Sequence, residues 1–131
     1  MKISKDLQKI KGDASFRTFY RSKKNNSIVV YAKKEKEKNL LIYDAVNKIL
    51  IKNRISAPNL ISQDYKKDFI EIQDFGNETI FKILSKKRSN KNIYFKKIIK
   101  LLNKIQTIKN QRIKNFKKKN LTIPKYNKKI L

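Results

Sequence analysis

Residue types able to do chemistry gather near the start of the chain, where Gly12, Asp13, Ala14 and Ser15 run straight into Phe16 and Arg17. Small, turn-forming residues let a backbone approach a ligand closely, and their N–H groups together with the Ser15 hydroxyl suit an anion. The aromatic, β-prone run that continues to Arg21 makes the stretch a tight loop leading into a strand. The loop also has a plainer interpretation, an ordinary hairpin turn. The missing types matter as much. With no cysteine and no histidine, the chain has neither a disulfide framework nor a thiolate metal site, and it lacks the commonest general base and metal ligand.

The periodicities supply a scaffold for these residues. Ile3, Leu7 and Ile10 at helical spacing predict a short amphipathic helix ahead of the Gly12 turn. The aromatic strand, the Asn25-Asn26 turn and a strand over 27–31 predict a hairpin with a polar rim. Residues 32–38 are too charged to be buried and read as a loop or the first turn of a helix. Leu40, Leu41, Tyr43, Val46, Leu50 and Ile51 then give a 3.6-residue stripe, a helix ending near Asn53 before Pro58. Segments 58–61 and 68–74 flank a polar turn at 63–67 and predict a second antiparallel pair, with Phe69, Glu71 and Gln73 facing one way and Ile70 and Ile72 the other. Gly76 ends that strand, and a helix follows from Thr79 to Leu84 with Asn77 or Thr79 as N-cap. After a polar break, Ile98, Leu101, Leu102, Ile105 and Ile108 predict a helix within 93–113. No internal repeat is visible.

At 131 residues and 39% hydrophobic content the chain is one small domain or one lobe of a larger one. No apolar run approaches the roughly 20 residues of a membrane span, and the polar start lacks a signal peptide's apolar segment, so the expectation is a cytoplasmic protein with no membrane partner. The net charge of +25 invites a nucleic-acid role through phosphate contacts. Against it, the basic residues are overwhelmingly Lys, with Arg only at 17, 21, 54, 88 and 112, and base-edge recognition favours the Arg fork. Lys, Asn and Ile abound at every kind of position, as an AT-rich genome produces without selection for binding. The charge is nevertheless uneven, because residues 79–131 hold 18 basic groups and no acidic one. Such a segment resists compaction unless an acidic or apolar surface covers it.

In this order the elements follow the N-terminal lobe of a kinase running into the first helices of its larger lobe. The segments Gly12-Asp-Ala-Ser-Phe-Arg17, Ser27-Ile-Val-Val30, Ala57-Pro58 and Phe69-Ile-Glu-Ile-Gln-Asp-Phe-Gly76 resemble the aminoglycoside-phosphotransferase-like family. Within it they look most like the bacterial anomeric sugar kinases acting on N-acetylmuramate and N-acetylglucosamine in cell-wall recycling. The resemblance covers residues 8–110. It implies an α+β fold, an antiparallel sheet with one long packed helix, divided as a kinase-like lobe at 1–76, the helical start of a C-terminal lobe at 77–113 and a basic tail at 114–131.

The same resemblance implies ATP as cofactor and an amino-sugar-like acceptor. Gly12, Asp13, Ala14, Ser15, Phe16 and Arg17 would cover the ATP phosphates. Lys33, on the face of Tyr31, or else Lys34, on the face of Ala32, would be the strand lysine that orients them, although the sugar-kinase branch often lacks it. Asp44 would be the helix carboxylate that does so with it, and has the plainer interpretation of a solvated helix charge. The main-chain carbonyl of Ile72 and amide of Asp74 would meet the adenine edge.

The family's catalytic Asp in a His-Gly-Asp or similar loop, the Asn after it and the Asp that holds Mg²⁺ all belong to a C-terminal lobe. This chain has no carboxylate beyond Glu78. The expectation is therefore a truncated N-terminal fragment, without catalytic or metal-binding residues and inactive alone, with Mg²⁺ bound only alongside the missing lobe. Two alternatives stand beside it: a basic nucleic-acid-binding module using residues 114–119 with Tyr94, Phe95 and Phe116, and a non-catalytic partner of a separately encoded C-terminal lobe.

Overall fold

Period-two alternation builds the sheet. In the computed structural model, which describes residues 6–11, 16–32, 39–86, 90–109 and 112–122, strands β2 (Thr18–Ser22) and β3 (Ser27–Tyr31) form the hairpin expected around Asn25-Asn26. Asn26 takes φ 49°, a left-handed conformation that Asn accepts more readily than most residues. With β1 (Leu7–Ile10), β4 (Leu60–Asp64) and β5 (Phe69–Gln73) they make a five-stranded antiparallel sheet of order β1-β2-β3-β5-β4. Ile70 and Ile72 turn inward and Phe69, Glu71 and Gln73 outward, as the alternation predicts. The fold is α+β.

A strand stands at Leu7–Ile10 where the spacing predicts a helix. Isolated helices this short gain little in water, whereas this segment completes backbone pairing along β2, from Leu7 opposite Ser22 to Ile10 opposite Phe19. Its three-residue spacing puts Ile10 on the inner face and Leu7 on the outer. The first part of the expected helix, residues 1–5, lies outside the described residues.

Helix α1 (Asn39–Lys52) buries Leu40, Leu41, Ala45 and Ile49 and brings Leu40 to the inner face of the sheet. There Leu40 joins Ile28, Val30, Ala32, Ile70 and Ile72 in one core. It ends in a Schellman arrangement: the Ile55 N–H donates to the Leu50 carbonyl and the Arg54 N–H to the Ile51 carbonyl, both at 2.9 Å. Arg54, at φ 56°, occupies the left-handed place usually given to Gly. Ile55 beyond it is buried, and that burial holds the cap.

On the outer face Glu71 gathers three donors: Ser27 Oγ at 2.5 Å, Ser62 Oγ at 2.8 Å and Asn25 Nδ2 at 3.1 Å. The Ser27 bond, then those from Ser62 and Asn25, hold the Glu71 carboxyl below its ordinary value. Because that value is lowered on folding, the contribution is present above about pH 4.5 and is lost as pH falls through the folded value. Glu71→Ala leaves the fully buried Ser27 hydroxyl without this acceptor. A loss of about 1–3 kcal/mol is expected, read as a lower urea midpoint at neutral pH, with the gap to wild type narrowing on acidification.

Past β5 the chain is helical again. Thr79 Oγ1 accepts from the Lys82 N–H and caps α2 (Ile80–Leu84), and Asn90 caps α3 (Lys91–Gln106). The latter stops seven residues short of the expected Ile113. Beyond it, β6 (Arg112–Lys114) and β7 (Asn120–Thr122) pair as a hairpin. Asn115, whose Oδ1 accepts from the Lys117 and Lys119 N–H groups, builds the turn. Phe116 anchors it by an edge-on contact with Tyr65, 5.7 Å between centroids, and Lys117 Nζ lies 3.7 Å from the centre of the same ring. Part of the segment expected as a basic tail is thus held to the β4–β5 connection through Phe116 and Lys117 on the Tyr65 ring, with Phe116 also packed against the core.

Candidate functional site

Towards the end of the inner face where β1, β2 and β3 meet β5, a cavity of about 680 Å³ opens. Its floor is Ile10, Phe19, Ile28 and Ile72, with Ile10 opposite Phe19 and Ile28 opposite Ile72 in the sheet register. Tyr43 from α1 forms one wall, and the linker 73–77 with Thr79 and Lys82 forms the other. The volume falls within the range of small-molecule sites, about 300–1,000 Å³. Apolar floor and cationic edge (Lys11, Lys82) together suit a flat, apolar ring system carrying negative charge.

The linker is latched to β2. Arg21 projects from the same face as Ile28, and its fork takes Asp74 with Nε to Oδ2 at 2.5 Å and Nη2 to Oδ1 at 3.0 Å. The guanidinium also donates to the Gly76 carbonyl at 3.0 Å and to Asn77 Oδ1. Asp74 Oδ1 in turn accepts from the Gly76 N–H at 2.7 Å, closing a turn that requires φ 80° at Gly76, an angle glycine adopts without strain. The Arg21 bond first, with help from the Gly76 N–H and the guanidinium charge, holds the Asp74 carboxyl below its ordinary value. Bidentate Arg–carboxylate pairs fix geometry as well as charge, so the linker enters the cavity wall in one conformation.

Tyr43 is shaped from the opposite side. Burial raises its phenol above the ordinary value, against the Arg17 charge and an Asn47 hydrogen bond that lower it, so at neutral pH it is a neutral hydroxyl. Arg17 stands 5.0 Å from the ring centroid and Phe19 packs at 6.4 Å, tilted.

Ile72 and Asp74 line the cavity. Ile72 lies inside the ladder, opposite Ile28 and Leu60, and Asp74 begins the linker. Arg17 reaches the site through Tyr43, while Phe16 points to solvent at 72% exposure. Asp44 is buried on α1 and pairs with Lys48 one turn on, 2.7 Å from its Nζ. Gly12, Asp13, Ala14, Ser15 and Lys33 lie outside the described residues, although Lys11 just before the loop lines the cavity. The sequence reading missed Arg21, Phe19, Ile10 and Tyr43 as site residues. Strand alternation carries the signal for two of them, since Phe19 and Arg21 share a face.

Among the described residues there is no group of three or more His, Cys, Asp or Glu side chains arranged to hold a metal ion. No described helix is long and apolar enough to cross a membrane. No family model matches the chain, and neither the curated proteins nor the solved structures yield a significant match.

Proposed function

We propose that this cavity is the nucleotide site of the ATP-binding lobe of a small-molecule phosphotransferase of the aminoglycoside-phosphotransferase-like type, an amino sugar being the acceptor. The observation that carries the proposal is that the cavity draws together two segments far apart in sequence, the strand end preceding residues 12–15 and the linker 73–77. The first leads directly into residues 12–17, which resemble an ATP-covering loop, and the second overlaps residues 72–76, which resemble an interlobe hinge. The chain order supports it: a hairpin, a long helix packed on the sheet, two more strands, a glycine-bearing linker, then helices.

The residues present fit ATP in part and magnesium poorly. Ile10, Phe19, Ile28 and Ile72 suit a purine face, and Lys11 and Lys82 suit phosphates, the Arg21 fork being taken up by Asp74, Gly76 and Asn77. Residues 12–15 would supply backbone N–H groups to the same phosphates. Carboxylates able to take a metal or a hydroxyl proton are absent from residues 79–131, and phosphoryl transfer depends on such groups for charge neutralisation. The 131-residue chain therefore binds the nucleotide without transferring its γ-phosphoryl group.

The test is a titration of the full chain with a fluorescent ATP analogue, competed by unlabelled ATP. Saturable, ATP-competed binding is expected. Ile10→Asp, which sets a carboxylate on the cavity floor from an edge strand, should weaken it at least about tenfold, or 1.4 kcal/mol. No phosphorylated N-acetylglucosamine or N-acetylmuramate should form with ATP and Mg²⁺. Binding indifferent to Ile10→Asp, or robust sugar turnover, would overturn the proposal.

A further inference from the structure

None of the 16 residues of α3 is buried. Phe95, Leu101, Leu102 and Ile105 are 49, 44, 51 and 38% exposed, and Tyr94 and Ile98 are half-buried. A hydrogen bond from Lys104 Nζ to the Arg54 carbonyl, at 2.8 Å, ties the helix to the end of α1. The apolar residues are not scattered. Tyr94, Ile98, Leu101 and Ile105 recur at spacings of four, three and four, the seam along which helices pack against one another. Phe95 and Leu102 widen the seam on one side, and Lys97 and Lys104 border it on the other. A continuous apolar ridge with a polar border on a water-exposed helix marks an interaction surface.

We infer that α3 docks an acidic amphipathic helix of another polypeptide, laid along the seam with its carboxylates against Lys97 and its neighbours. The charge selects the occupant. A second copy is disfavoured because residues 79–131 carry 18 basic groups and no acidic one, so that α3 on α3 sets lysine against lysine. A lipid surface accepts any broad apolar face, whereas a four-three-four seam with lysines along one border is the pattern that specifies a facing helix and its charge. This inference is independent of the nucleotide site, since α3 contributes no residue to that cavity.

The experiment uses the full chain and four probes: a synthetic helix with Leu along its seam and Glu at the borders, the same peptide scrambled, its counterpart with Lys for every Glu, and vesicles of phosphatidylglycerol and phosphatidylcholine. The patterned Glu peptide is expected to bind in fluorescence anisotropy more tightly than the scrambled one, and the Lys counterpart not at all. Ile98→Asp should weaken the Glu peptide at least about tenfold. Lys97→Glu keeps every apolar residue of the seam, removing only the approach of Lys97 Nζ to the Tyr94 ring at 5.8 Å, and should weaken the Glu peptide about twofold to threefold, keeping the proposal testable if Ile98→Asp disturbs the helix.

Equal binding of patterned and scrambled peptides overturns the proposal. So does vesicle binding without peptide binding, which assigns the face to lipid. A dimer seen by sedimentation and lost in Ile98→Asp would assign it to a second copy.

Discussion

Ile70→Ala is expected to lower folding stability by about 2–5 kcal/mol. Ile70 has no solvent exposure, sits at the centre of β5 opposite Val30 and Gln63, and packs in the core formed with Leu40, Val30 and Ile72. Truncation removes the transfer free energy of three carbons and leaves a space that a sheet bonded on both sides of β5 cannot collapse to fill. Small domains hold only about 5–15 kcal/mol in total, so the loss is a large fraction of it. Urea denaturation measures it directly. The matched control is Ile61→Ala, at a residue 56% exposed at the bulge between Leu60 and Ser62, where a change within about 0.5 kcal/mol is expected. Equal midpoints for the two variants would place the core elsewhere.

Arg21→Ala is expected to act on stability and on the proposed nucleotide site together. The Asp74 side chain, 6% exposed, loses its forked partner, and the Gly76 carbonyl and Asn77 lose a donor. Leaving one member of such a pair without its partner costs about 1–3 kcal/mol. Acid titration separates this loss from a general loosening. Arg21 holds the Asp74 carboxyl below its ordinary value of 3.8, so the contribution is present at neutral pH and disappears as pH falls through the folded value. Wild type should therefore stand well above the variant in thermal melts at pH 7, with the difference shrinking below about pH 3.8. A difference unchanged at pH 2.5 would show that Arg21 acts by packing alone. The freed linker should also weaken ATP binding, because the cavity wall no longer holds one conformation.

The sheet and α1 were legible because their information is local. Alternation at Ile70 and Ile72, the Asn25-Asn26 turn and the stripe from Leu40 to Ile51 each lie within one element. What escaped depends on partners distant in sequence. Leu7 and Ile10 keep a helix-like spacing, yet pairing with β2 makes them a strand. The hairpin after α3 rests on Asn115 turning the chain and on Phe116 meeting Tyr65, and neither event leaves a periodic trace in a lysine-rich background. In the site, Ile72 and Asp74 were named for their position in a segment resembling a hinge, and both border the cavity. Arg21 went unnamed because its partners Asp74, Gly76 and Asn77 lie more than fifty residues away. Asp44, named as an orienting carboxylate, carries a second meaning that i,i+4 spacing alone supplies, its pair with Lys48.

The central claim is that the cavity at the sheet end takes ATP, and backbone amide chemical shifts of the isotopically labelled chain during an ATP titration test it most directly. Shifts are expected at Ile10, Lys11, Phe19, Gln73, Phe75, Gly76 and Thr79, which line the cavity, saturating together and suppressed by Ile10→Asp. Shifts confined to the lysines of α3 and the hairpin of residues 112–122, fading as salt is raised, would contradict it and mark the phosphates as counterions of a basic surface.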